Sequence, residues 1–192
     1  THSTSAVLRT LISKGILEEQ SLREDRSLYD FKKQDEKRSL SDAQQKALNE
    51  INNIFEEKPV VLFQGVTGSG KTEVYIELIA KAIAQDKQVL YLLPEISLTP
   101  QMVQRLQARF GSEVTVYHSK FSVHERTEVW NNILDKNPNA KIIVGTRSAI
   151  FLPFNQLGLL IVDEEHELSY KQFDPSPRYH ARDSAVVLAG MY

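Results

Sequence analysis

From about residue 40 onward the chain alternates short aliphatic runs with longer stretches in which apolar residues recur every three or four positions. A parallel sheet covered by helices on both faces reads this way, because strands buried on two sides are continuously apolar while each covering helix carries one apolar stripe. Val60 to Gln64, Gln88 to Leu93, Val114 to His118, Lys141 to Thr146 and Leu159 to Asp163 qualify as strands, each mostly β-branched or aliphatic. After Gly70, Val74, Tyr75, Leu78, Ile79, Ala82 and Ile83 fall on one helical stripe, and Val129, Ile133 and Leu134 repeat the trend around Trp130. The expected fold class is therefore α/β, with a mostly parallel, doubly wound sheet and helices on both faces.

The pattern before residue 39 differs. Ala6, Val7, Leu8, Leu11 and Ile12 keep near-helical spacing, and Gly15 is placed to stop that helix. From Arg23 to Arg38, 11 of 16 residues are charged, which suits a solvated linker or an exposed helix and not a core. The organisation expected is a short helical element over 1–22, a charged linker over 23–38 and one lobe over 39–192.

Composition narrows the function classes only slightly. With 23 Lys plus Arg against 25 Asp plus Glu in 192 residues, bulk charge does not announce a nucleic-acid partner, so any such site must come from local clustering. No apolar run approaches the roughly 20 residues of a membrane span, and the start lacks a signal-peptide pattern. The absence of cysteine fits a cytoplasmic setting, with no membrane partner expected. The chain opens at Thr1 and stops at Gly190-Met191-Tyr192 just after an apolar, helix-like run, and both ends read as cuts within a longer protein.

Two motifs carry chemistry. Gly65-Val66-Thr67-Gly68-Ser69-Gly70-Lys71-Thr72 follows an apolar run and opens a helix, which is the context as well as the spelling of a phosphate-binding loop. Gly65, Gly68 and Gly70, with Thr67 and Ser69, let successive amides face phosphate oxygens at a helix N-terminus. Lys71 is expected to reach the terminal phosphates of ATP, and the Thr72 hydroxyl to ligate Mg2+. The second motif is Leu159-Leu160-Ile161-Val162-Asp163-Glu164-Glu165-His166, an aliphatic strand ending in carboxylates. Asp163 is placed to hold magnesium through water and Glu164 to deprotonate the attacking water. Lys71 and Asp163 are expected to meet in space.

Kinases, transporters and motors share these two motifs, so further segments have to discriminate. Asp163-Glu164-Glu165-His166 resembles motif II of superfamily 2 helicases, and Leu92 to Gln101, Tyr117-His118-Ser119 and Val144 to Phe151 resemble that superfamily's nucleic-acid motifs. Within it, Gly65 to Tyr75, Pro94-Glu95-Ile96, Tyr170-Lys171-Gln172 and Arg178 to Asp183 are similar to the bacterial replication-restart helicases, over about Leu40 to the end. The resemblance implies a RecA-like P-loop lobe, the first of two, preceded by the remnant of a winged helix over 1–22. It also implies an ATP-dependent DNA helicase of the primosome with 3′-5′ polarity.

The same resemblance assigns roles by position. Gln44 would contact the adenine base, the alternative being a surface amide on an amphipathic helix. His166 would couple nucleotide state to DNA. Thr99 and the Thr146-Arg147-Ser148 turn would hold phosphates of a single strand, and strand-end capping is the other reading. Between Leu168 and Arg182, Lys171, Arg178 and Arg182 stand against one acid, Asp174, and are interleaved with Tyr170, Phe173 and Tyr179. Cations and rings together suit single-stranded DNA, with stacking worth roughly 1 to 3 kcal/mol per base. Pro175 and Pro177 make this stretch a loop, similar to the family's aromatic-rich loop; the alternative is a loop that tucks its rings into the core.

The implied partners are single-stranded and forked DNA, other primosome proteins and single-strand-binding proteins. The family's zinc-binding cysteines would lie beyond this chain, as would the second lobe with its catalytic arginine. The chain alone is accordingly expected to bind ATP weakly with little hydrolysis. Two other classes stay open: a different P-loop enzyme such as a nucleotide kinase, and a non-hydrolytic nucleotide-sensing or DNA-binding module.

Overall fold

A computed structural model describes residues 10–16, 39–66 and 68–192 of the chain. The sheet contains β1 (Gln88–Leu92), β2 (Val114–Tyr117), β3 (Ile142–Gly145) and β4 (Leu157–Val162), all parallel and ordered β2-β3-β1-β4. The two central strands are buried along their whole length, while β2 and β4 at the edges are partly exposed. Leu92 lies opposite both Gly145 and Val162, and Gly145 opposite Tyr117. All four carboxyl ends thus share one edge, where loops of an open α/β sheet gather ligands.

Helices cover both faces. Val89, Tyr91 and Leu93 point to one side, where α2 (Lys71–Ala84) and α3 (Pro100–Phe110) bury Tyr75, Ile76, Ile79, Leu106 and Phe110. Leu90 and Leu92 point to the other, against Val129 and Ile133 of α4 (Val123–Leu134) and Ala181 and Ala185 of α5 (Ala181–Ala189). Removing a side chain such as fully buried Ile79 from water stabilises the fold by roughly 1.5 to 3 kcal/mol. The expected stripe on α2 forms: Val74, Tyr75, Leu78, Ile79 and Ala82 are all buried. Ahead of it, α1 (Asp42–Phe55) starts at a capping box in which Ser41 and Gln44 satisfy each other's amides, and its Ile51 packs on Val74 and Leu78.

One strand expectation needs correction. Val60 to Gln64 pairs with no strand among the described residues. Val61 and Phe63 turn inward to pack near Leu159 of β4, whereas Val60 is 47% and Leu62 68% exposed. The run is apolar but only every second residue is covered, so it lies along the flank of the lobe and not between two layers.

At the start of the chain, residues 10–13 form a helical turn, and Gly15 ends it in the left-handed region at φ 68° with the Ile16 amide donating to Leu11 O at 3.0 Å. Ala6, Val7, Leu8 and the charged stretch from Arg23 to Arg38 lie outside the described residues.

Candidate functional site

The phosphate loop leaves the flanking run at Gly65 and enters α2 at Gly70, whose φ of 83° is left-handed. A side chain at Gly70 would be strained there and would also collide with the Gln44 amide. That amide donates through Nε2 to Gly70 O at 3.2 Å while Gln44 Oε1 accepts from the Ser41 amide at 2.9 Å. Gln44 therefore joins the start of α1 to the far end of the loop. Among the described residues no side chain caps α2, and the Glu73 amide donates to Gly70 O at 3.0 Å; the start of such a helix is a setting suited to an anion. Thr67 lies outside the described residues; Thr72 is half-buried in the first turn of α2.

Lys71 Nζ donates to Gly65 O at 2.8 Å and to Glu164 Oε1 at 3.4 Å, across 93 positions of sequence. Its direct partner is thus the second acidic residue, and Asp163 lies near enough for the Lys71 charge to act on it. Burial pushes the Asp163 carboxyl up, against the opposing pull of a hydrogen bond from Tyr91 and of the lysine charge. A partly desolvated carboxylate of this kind gains from a divalent cation, which would restore the stabilisation that burial removes. Glu164 sits at φ 46°, an unusual backbone for a residue with a side chain, and its amide donates to Asp163 Oδ1 at 3.1 Å. Among the described residues no group of three or more His, Cys, Asp or Glu side chains could hold a metal by itself. A cation here would therefore lean on Asp163, Thr72 and the phosphates of a bound nucleotide, which is how Mg2+ with its retained waters is commonly held. His166 is largely exposed, with Nε2 3.9 Å from Glu164 Oε2.

Two tyrosines complete this corner: Tyr91, which the motif spelling does not single out, and Tyr170, which it places on the DNA side. Tyr91, fully buried on β1, donates its hydroxyl to Asp163 Oδ2 at 3.0 Å. Tyr170 donates to Asp163 O at 2.6 Å and Leu92 O at 3.0 Å. Burial and the neighbouring carboxylates raise both phenols far beyond their usual range, so both remain donors. A phenol in the otherwise aliphatic run Gln88 to Leu93 was the signal for Tyr91, since a buried hydroxyl needs a partner.

Tyr170 is the clear correction on the DNA side. Its ring is 0% exposed and belongs to the core with Leu92, Val129 and Ala181, so no base can stack on it. Arg182 also departs from expectation: it lies on α5 and not in the loop, paired with Glu165 at 2.8 Å and Asp183 at 3.0 Å. Arg147 Nη1 donates to Lys171 O at 3.2 Å and to Ser169 O at 3.4 Å, fastening the loop base to the end of β3. Thr146 is 2% exposed and its hydroxyl has no hydrogen-bond partner among the described residues. Thr99 accepts from the Met102 amide at 3.3 Å and so caps α3, the alternative reading of that residue, though it remains exposed.

The rest of the loop does present cations and a ring. Lys171 and His180 form an isolated bridge, and the Gln172 amide donates to Tyr179 O at 2.9 Å, closing an excursion over residues 172–179. Gln172 Nε2 donates across it to Pro175 O at 2.9 Å and Pro177 O at 3.2 Å. Outside it, Phe173 is 58% exposed with Lys171 Nζ 4.9 Å above its ring, and Arg178 is exposed. Tyr179 is half-buried, edge-on to Phe151 at 4.7 Å.

A glycine loop, a lysine and an acidic pair gathered at the carboxyl edge of a parallel α/β sheet define a P-loop nucleotidase lobe, and the DEAD/DEAH box helicase family matches residues 41–187. The chain belongs to that family, whose members use ATP and Mg2+. It is 47% identical over 190 residues to the replication restart protein PriA of Bacillus subtilis, covering 97% of this chain and 23% of that protein. The PriA proteins of Haemophilus influenzae and Helicobacter pylori are 52% and 45% identical over 68% and 79% of the chain. The chain thus spans 17 to 23% of the length of these relatives. No described helix is long and apolar enough to cross a membrane.

Proposed function

We propose that this chain is the first ATP-binding lobe of a replication-restart DNA helicase, in which ATP hydrolysis drives movement along single-stranded DNA and opening of the duplex. The observation that carries the reading is the meeting of Lys71 with Glu164, 3.4 Å apart beside Asp163, at the mouth of the glycine loop. In this reading Gly65 to Gly70 and the start of α2 bind the phosphates, and Lys71 swings from Gly65 O to the terminal phosphates. Thr72 and Asp163 share the magnesium, and Glu164 takes the proton of the attacking water. Gln44, already anchored at the loop, lies at the edge where the base would sit.

Single-stranded DNA would run over the other loops of the same sheet edge, touching Thr99, Lys171, Phe173, Arg178 and Tyr179, with Arg147 of the Thr146-Arg147 turn bracing the loop base from within. His166, next to Glu164, would carry the signal between them. We extend the reading to forked DNA, 3′-5′ movement, primosome and single-strand-binding partners and a cytoplasmic setting; the likeness to replication restart proteins supports the broader role in replication restart. A second lobe would supply the arginine that steadies the transferring phosphate, a contribution of about 10³- to 10⁵-fold in rate. The chain by itself is then expected to bind nucleotide and turn it over very slowly.

The test is the ATPase rate of the whole protein with and without single-stranded DNA. The reading predicts stimulation by DNA, and for Glu164→Gln a loss of turnover of about 10²- to 10⁴-fold with nucleotide binding kept. A rate indifferent to DNA, or a Glu164→Gln protein that behaves as the unaltered one, contradicts it.

A further inference from the structure

Asp163 is held from below as well as faced from above. Tyr91 reaches from the neighbouring strand β1 to Asp163 Oδ2 at 3.0 Å and the Glu164 amide donates to Oδ1 at 3.1 Å, while the Tyr75 hydroxyl also interacts with this carboxylate. The Tyr91 ring cannot swing away. It is fully buried, edge-on to Tyr75 of α2 at 5.8 Å, and Tyr75 is in turn edge-on to Phe63 at 6.1 Å. Phe63 precedes the phosphate loop by two residues and Tyr75 follows Lys71 by four, so three rings in edge-to-face contact link the two ends of the loop to β1 and finish at Asp163.

From this arrangement we infer that Tyr91 is a positioning residue for the magnesium-holding carboxylate, fixing the Asp163 side chain in the orientation that a nucleotide-bound divalent cation needs. The inference rests on the nucleotide-site reading above and assigns a residue that the phosphate-loop and acidic motifs do not contain. Without the Tyr91 hydroxyl, Asp163 would keep the Glu164 amide on Oδ1 but lose the donor that β1 aims at Oδ2. A hydroxyl that binds one oxygen leaves the outward lone pairs free and narrows the rotation of the carboxylate. Donors behind a metal-binding side chain typically account for about 10- to 100-fold in metal affinity.

The measurement is a MgCl2 titration of the chain in the presence of a fluorescent ADP analogue, read as the magnesium midpoint, with a parallel titration of the nucleotide in EDTA. Tyr91→Phe keeps the ring and removes only the hydroxyl. It is expected to raise the magnesium midpoint about tenfold or more while the EDTA affinity stays within a factor of about two. Ile133→Val, in the core of α4 and away from the loop, serves as the packing control and is expected to lower the melting temperature without moving the midpoint. A Tyr91→Phe midpoint equal to that of the unaltered chain overturns the inference, as does a midpoint that shifts equally in Ile133→Val. If the unaltered chain gains no nucleotide affinity from magnesium, the nucleotide-site reading itself fails and takes this inference with it.

Discussion

At the phosphate-loop end of the sheet edge, the candidate residues are bonded to one another. Gln44 holds Gly70, Lys71 holds Gly65 and Glu164, and Tyr91 holds Asp163. At the other end, the candidates from the nucleic-acid motifs are divided. Tyr170, Arg147 and Arg182 are bound into the lobe's own fabric, while Lys171, Phe173 and Arg178 face solvent. The contrast suits the roles proposed for the two ends. A triphosphate and its metal demand fixed distances, and a site held together before binding loses little freedom when the ligand arrives. A polyanion that must slide is better met by mobile cations and an open ring, whose phosphate contacts position the strand without fixing a sequence.

Two rings of the same segment put that contrast to the test. Tyr170→Phe would remove the hydroxyl donor of the Asp163 carbonyl, while Leu92 O keeps the Asp163 amide, and is expected to cost about 1 to 3 kcal/mol of stability, read by thermal or denaturant unfolding. Its effect on DNA affinity should be confined to whatever follows from that loss. Phe173→Ala is expected to do the reverse, leaving stability within about 0.5 kcal/mol and weakening single-stranded DNA binding by about 1 to 3 kcal/mol. A stable Tyr170→Phe protein with impaired DNA binding would erase the distinction between the buried and the open ring.

The smallest effect concerns charge. Lys171→Ala and Arg178→Ala should each reduce the slope of log affinity for single-stranded DNA against log salt by about 0.7, because each cation releases counterions from one phosphate. Arg182→Ala should leave the slope nearly unchanged, since Glu165 and Asp183 already neutralise that guanidinium. An Arg182→Ala protein that loses as much slope as Lys171→Ala would mean those ion pairs open on binding.

The same contrast explains what could be read from the chain alone. The loop and the acidic pair were legible because their chemistry admits few alternatives: only glycine suits the left-handed turn at Gly70 against Gln44, and only a strand end can bring Asp163 and Glu164 to Lys71. The strands at 88, 114, 141 and 159 were legible from their aliphatic runs, with boundaries within two residues. Val60 to Gln64 was misread because an apolar run reports affinity for an interior but not which neighbour will pair with it. In the segment from Leu168 to Arg182, the ring of Tyr170 and that of Phe173 look alike in sequence, and only packing separates the one at 0% exposure from the one at 58%. Tyr91 escaped for a related reason: its hydroxyl is useful only because β1 and β4 are neighbours, a fact carried by topology and not by spacing.

The central claim is that Lys71 and the Asp163-Glu164 pair, drawn together from opposite halves of the chain, form one magnesium-nucleotide site. Equilibrium binding of a fluorescent ADP analogue to the unaltered chain and to Lys71→Ala, each with and without magnesium, tests it most directly. The account predicts that magnesium strengthens binding to the unaltered chain and that Lys71→Ala abolishes most of the affinity in both conditions. Binding that ignores magnesium and survives Lys71→Ala would contradict it.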